Sequence, residues 1–367
     1  MTTEKPSPRG AGDRPGGGRL LGIQLARGVA ALLVVLYHAG RGIALPQYAG
    51  HVPFGGLFNF GHAGVDFFFV LSGFIIHAVH HRDIGVPAAL GRYVRRRLTR
   101  ILPIYWVVIA LVLLLAAVRP GGADLPDTRR LLASLLLLPQ AADPVLGVAW
   151  TLVFELTFYA LFALAIVSRR LGAGVLVAWL ALILAGQVRT LHTPLLGVLS
   201  SPLNLEFMLG VTVARMTISV AVPRPLLLAA LGALAFLAAG LAENAGLMSK
   251  AGEVSEALFG AASAAMIAGL AAAERQGRLQ IGAAGAFLGD ASYAIYLIHT
   301  VVIGLVARAL GLLGLVKLLP IAVVFAVVVA ASVAAGAALH VLVERRLLRW
   351  LGGLGRRTTA GSGITWF

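Results

Sequence analysis

Arg27 and His38 stand eleven positions apart inside the first long apolar run of the chain, Leu20–Ala39. On an α-helix, eleven steps of 100° return to within about 20° of the starting direction, roughly 16 Å further along the axis. Both side chains therefore share one stripe of one helix at different depths. An arginine inside hydrocarbon costs about 2.5–3.5 kcal/mol on insertion scales, so an intramembrane Arg/His pair marks a candidate site. The plain alternative is that Arg27 snorkels to the cytosolic surface and His38 sits among the outer headgroups.

Four further groups could join that pair. Gly64-Val65-Asp66 opens a second apolar run that continues to Ser72-Gly73-Phe74. A buried carboxylate needs a partner. For Asp66 the nearest by topology is His38, whose tautomer such a pair would fix; alternatively Asp66 neutralises Arg27 or Arg41. Ser72-Gly73 lies nearer the cytosolic end, where a missing side chain lets backbone approach another helix or a ligand. The next connection, Arg92 to Pro103, holds five arginines in nine residues. Arg97 and Arg100 are one helical turn apart, suited to forked hydrogen bonds on a phosphorylated ligand or to anionic lipid headgroups. No glycine-rich phosphate loop accompanies them, so neither a Rossmann nor a P-loop mode applies.

Trp150 to Tyr159 carries Glu155 near mid-span, with Tyr159 one turn on along the same face. A glutamate at that depth relays protons, binds a cation or pairs with an arginine. Glu206 is a second buried carboxylate, nearer the outer end of its run. Ser292, Tyr296 and His299 recur at helical spacing, with His299 read as a hydrogen-bonded packing residue rather than a second base. Glu344-Arg345-Arg346 reads as an interfacial anchor.

The elements that must hold these residues are membrane helices. The chain has 367 residues, 59% of them hydrophobic and only 12% charged, with a mean hydropathy of +0.91. That composition belongs to a multi-span membrane protein. There are no cysteines, which excludes disulfides and Cys-ligated metal centres, and no metal site is expected. About ten runs are long enough to cross a bilayer, near 20–39, 57–80, 101–118, 146–167, 172–188, 203–219, 226–242, 256–273, 287–307 and 320–343. Of the 30 Lys and Arg, about 21 lie in the N-terminal tail, the even-numbered connections and the span ends beside them. The positive-inside rule then puts both termini in the cytosol. It also assigns the basic excess to topology, so no nucleic-acid partner is expected. Residues 1–19 read as a disordered cytosolic tail rather than a signal peptide, 20–350 as one all-α membrane domain, and 351–367 as a second cytosolic tail.

In this order the segments resemble the acyltransferase-3 family of membrane acyltransferases. Arg27 through His38 looks like its arginine–ten residues–histidine motif, Gly64–Phe74 like its second-span signature, and Arg97–Pro103 like its basic loop. Trp150–Tyr159 and Ser292–His299 match later landmarks. The Gly22-Ile23-Gln24 opening and Gly147-Val148-Ala149-Trp150 are most similar to the exopolysaccharide-acetylating branch. The departure is Ala26, where a larger residue commonly precedes the arginine. No esterase-like domain of the kind some members carry is expected.

The resemblance implies an inner-membrane, multi-pass O-acyltransferase. It would move an acyl group, usually acetyl, from cytosolic acyl-CoA to a hydroxyl of a glycan, lipid-linked sugar or small molecule. Acyl-CoA would be a substrate, with no tightly bound cofactor, and membrane lipids would surround the chain. On this reading His38 is the base or acyl carrier, with Arg27, Asp66 and Glu155 around it. Arg97, Arg100, Ser72 and Gly73 would hold the donor, while Trp150, Tyr159, Glu206, Ser292, Tyr296 and His299 line the site. The rivals are a proton-coupled transporter or flippase, which would use Asp66, Glu155 and Glu206 as coupling groups, and a lipid-binding scaffold.

Overall fold

A computed structural model describes residues 20–118, 125–189 and 193–356, with side chains as far as 352. The expected tail at 1–19 and the residues after 356 lie outside the described residues. Among the described residues the fold is all helix. The chain begins with α1 (Leu21–Ile43), α2 (Gly64–His80), α3 (Leu90–Ala117) and the short α4 (Thr128–Leu135). Next come α5 (Trp150–Val167), α6 (Arg169–Val188), then α7 (Pro194–Ser200) and α8 (Asn204–Ser219), which meet at a 40° bend. It ends with α9 (Pro225–Asn244), α10 (Glu253–Arg275), α11 (Ala283–Leu312), α12 (Leu315–Leu318), α13 (Ile321–Leu339) and α14 (Arg345–Arg356). Nine helical stretches among the described residues are long and apolar enough to span a bilayer, or ten with α7–α8 as one broken span. At 23 residues, α1 alone is about 35 Å long, enough for the ~30 Å hydrocarbon core.

Two boundaries differ from expectation. The basic stretch Arg92–Arg100 is not a loop but the opening turns of α3, because arginine is a good helix former and Pro87 sits just before the start, where its missing N–H costs nothing. The tail expected from 351 begins inside α14. A π-helical turn, His340–Glu344, joins α13 to α14. In it Glu344 turns inward and pairs with His340 Nδ1 at 2.7 Å, so only the arginines after it remain for an interfacial anchor.

Helices in lipid associate through close packing rather than through a hydrophobic drive, so small residues decide which pairs meet. The principal pairs are α1 with α11, α2 with α8, α9 with α10, and α11 with α13. A Cβ on Gly73 would sit 2.0 Å from the Phe207 carbonyl oxygen, and one on Gly210 only 1.9 Å from that of Val70. The bare backbone of Gly73 thus serves a helix crossing, which is the helix alternative for that residue. At the second crossing, a Cβ on Gly289 would lie 2.3 Å from the Gln24 carbonyl oxygen. That contact brings Arg27 against α11.

Candidate active site

The α1–α11 crossing fixes Arg27. Its Nε donates to Ser292 Oγ at 2.8 Å and its guanidinium also donates to the Gly289 carbonyl. The arginine is 9% exposed, so its cost in hydrocarbon is met by protein acceptors and it does not snorkel. Arg27 lines a cavity of about 160 Å³. Arg96, Arg97 and Arg100 of α3 line the same cavity, as do Ser72, Thr151, Glu155, Tyr159, Ser292 and Tyr296.

Glu155 sits on the cavity wall and accepts from Ser72 Oγ at 2.9 Å and from the Tyr159 hydroxyl. Two helices, α2 and α5, therefore meet at one carboxylate. Arg97 lies over the Tyr159 ring, 5.8 Å from its centroid, and donates to His80 Nε2 at 3.1 Å. His80 Nδ1 in turn donates to Asp83 at 2.8 Å. That relay aims a forked cation into the cavity while leaving its Nε without a hydrogen-bond partner. The arrangement suits an anionic, phosphorylated guest at the arginine end.

His38 is not on the cavity wall. It lies some 16 Å further along α1 than Arg27, beside His299 of α11, with His299 Nε2 3.2 Å from His38 Nδ1. His299 is fully buried, and its Nδ1–H donates to the Tyr296 carbonyl at 2.6 Å. A neutral imidazole with its proton there presents a lone pair at Nε2. The Nδ1–H of His38 then donates to that lone pair and to the Val34 carbonyl, 2.9 Å away. The pattern assigns the remaining lone pair of His38 to Nε2, the atom a general base needs. Tyr296 connects the two regions. Its hydroxyl lies 2.8 Å from Thr151 Oγ1 on the cavity wall, its ring packs on Phe68, and its carbonyl holds His299.

Several expected neighbours are elsewhere. Asp66 does not reach His38 but faces Glu206 on α8, within hydrogen-bonding reach. Helical rotation is the reason. Gly64 packs on the Ala30 carbonyl of α1, and two residues later the helix has turned 200° away. Asp66 thus shares the stripe of Val70 and Gly73 that meets α8. Glu206 lines a different, apolar groove between α5–α6 and α8–α10 rather than the arginine-lined cavity. Trp150 is 40% exposed and packs on Phe69 and Phe154, because one residue of rotation gives the cavity to Thr151 instead. Gly73 is at the α2–α8 crossing and off the cavity wall. Reading the sequence alone missed His80 and Asp83, whose three-residue spacing at the end of α2 was a signal for a hydrogen-bonded pair. It also missed Thr151, which only three-dimensional packing reveals.

The sequence profile of a family described as an acyltransferase domain, acyltransferase-3, matches residues 20–340. The chain is 33% identical over 313 residues to the exopolysaccharide production protein ExoZ of Rhizobium meliloti (strain 1021), covering 83% of this chain and 94% of that protein. No solved structure matches the chain.

Proposed function

Because the chain belongs to the acyltransferase-3 family, we propose that it is an inner-membrane O-acyltransferase moving an acetyl group from cytosolic acetyl-CoA to a hydroxyl of an exopolysaccharide or related envelope glycan. The observation that carries the reading is the continuity from Arg96, Arg97 and Arg100, through the cavity, to Tyr296 and so to the His299–His38 pair. Arg97 and Arg100 hold CoA phosphates, and the pantetheine arm extends past Ser72, Glu155 and Arg27 toward Tyr296. The thioester approaches His38 when Tyr296 and Thr151 part. His38 Nε2 takes the hydroxyl proton as the ester C–O bond forms; the C–S bond breaks and its electron pair leaves with CoA as thiolate. The name of the ExoZ relative supports a polysaccharide acceptor.

The test uses the purified chain in lipid nanodiscs with [14C]acetyl-CoA and polysaccharide from cells lacking this protein. Label in the polysaccharide with an equal amount of CoA released is the expected result. A transporter or flippase would release no CoA above a heat-inactivated control, and that outcome would remove the enzyme reading.

A further inference from the structure

His38 has a second imidazole on its far side from the donor cavity. Tyr37, the residue before it on α1, packs its ring at 4.9 Å from His38 and 5.8 Å from His62, T-shaped to both. His62 lies just ahead of α2, at the end of the bundle opposite the α3 arginines. Its Nε2 is 2.7 Å from Glu243 Oε1 near the end of α9. Glu243 is 7% exposed, and its second oxygen, Oε2, is buried without a hydrogen-bond partner. Lys250, ahead of α10, donates to the Tyr37 hydroxyl at 2.9 Å and closes this cluster together with the Phe259 ring of α10. Arg41 of α1 is the other cation acting on His38.

The two histidines are held by different chemistry. His38 is backed by a neutral imidazole and a carbonyl, acceptors that carry no negative charge to offset an imidazolium. His62 is backed by a buried carboxylate, the usual support for an imidazolium. A proton taken up at His38 is therefore better kept at His62. Resting on the acyltransferase reading above, we propose that the His62–Glu243 pair is a second acid–base site of the reaction, the group that accepts the proton His38 has removed from the acceptor hydroxyl.

The hydroxyl proton passes from oxygen to His38 Nε2 as the ester forms; because the Tyr37 ring packs against both imidazoles, a water molecule carries it on to His62, and it leaves to solvent at that end. The CoA thiolate takes its proton from water at the arginine-lined mouth. His38 returns to its basic form without waiting for CoA to depart.

The experiment uses the full chain in nanodiscs, with [14C]acetyl-CoA as donor and the same unacetylated polysaccharide as acceptor. His62→Ala is expected to lower kcat about tenfold or more, with the KM and Kd for acetyl-CoA unchanged. Millimolar imidazole should restore turnover in proportion to its concentration, because a free base then carries the proton. Glu243→Gln should lower kcat similarly, and Glu243→Asp should recover part of it. Wild-type turnover in His62→Ala would overturn the proposal, as would a loss that imidazole does not relieve. Loss of acetyl-CoA binding together with turnover would reassign the pair to folding. An inactive wild-type chain, by contrast, would count against the acyltransferase reading itself.

Discussion

Replacing His299 with alanine separates the group that performs the chemistry from the group that sets its tautomer. Two acceptors hold the Nδ1 proton of His38, the Val34 carbonyl at 2.9 Å and His299 Nε2 at 3.2 Å. The substitution removes the second and leaves the first, so the tautomer preference weakens without vanishing. One neutral hydrogen bond is worth about 0.5–1.5 kcal/mol, or roughly two- to tenfold in the tautomer ratio. The His38 ring also loses a packed neighbour whose centroid lies 4.9 Å away, and loosened geometry at a reacting group adds to the loss. The active fraction can fall by no more than that tautomer ratio, so with the loosened ring kcat should drop about two- to tenfold. The KM for acetyl-CoA should not move, since His299 is off the cavity wall. His38→Ala should cost about a hundredfold or more, the scale of removing a general base. His299→Gln, which keeps an acceptor at that site, should recover part of the rate at equal abundance in the membrane. Steady-state transfer from labelled acetyl-CoA reads all three variants. Unchanged turnover in His299→Ala, or a loss as deep as that of His38→Ala, would refute the tautomer assignment.

Arg97→Gln and Arg100→Gln each remove a charge-assisted contact worth about 1.5–3 kcal/mol, so each should raise the KM for acetyl-CoA about tenfold or more while leaving that for the polysaccharide unchanged. Asp66→Ala and Glu206→Ala should be strongly non-additive in thermal unfolding, because the two carboxylates face each other; additive losses would show that they act separately. Gly73→Val should sharply reduce folded protein, since even a Cβ there falls 2.0 Å from a backbone oxygen, and normal yield would contradict the crossing. Single cysteines in the 81–89 connection should be reached by impermeant reagent only in opened cells, and those in the 45–51 connection in intact ones; the reverse pattern would invert the orientation.

The helices were legible because each apolar run had to satisfy its own backbone in lipid, which leaves little choice of structure. Arg27, Arg97, Arg100, Ser72, Glu155, Tyr159, Ser292 and Tyr296 were all named from spacing, and they line one cavity. Spacing places residues on a face of their own helix. It does not say which neighbour that face meets. Asp66 was assigned to His38 by depth, yet the 200° between it and Gly64 turns it to α8. His299 is hydrogen-bonded, as its spacing from Tyr296 predicts, but its Nε2 partner stands 261 positions away and only the α1–α11 crossing brings them together. Glu243 and His62 stayed invisible for the same reason, being 181 positions apart.

The central claim is that His38 performs the transfer while the arginine-lined cavity holds the donor. His38→Ala in nanodiscs tests it most directly, with acetyl-CoA binding and acetyl transfer measured on the same sample. The Kd for acetyl-CoA should stay within about twofold of wild type while transfer to polysaccharide falls about a hundredfold or more. Transfer retained at the wild-type rate would contradict the claim, as would donor binding lost in step with transfer.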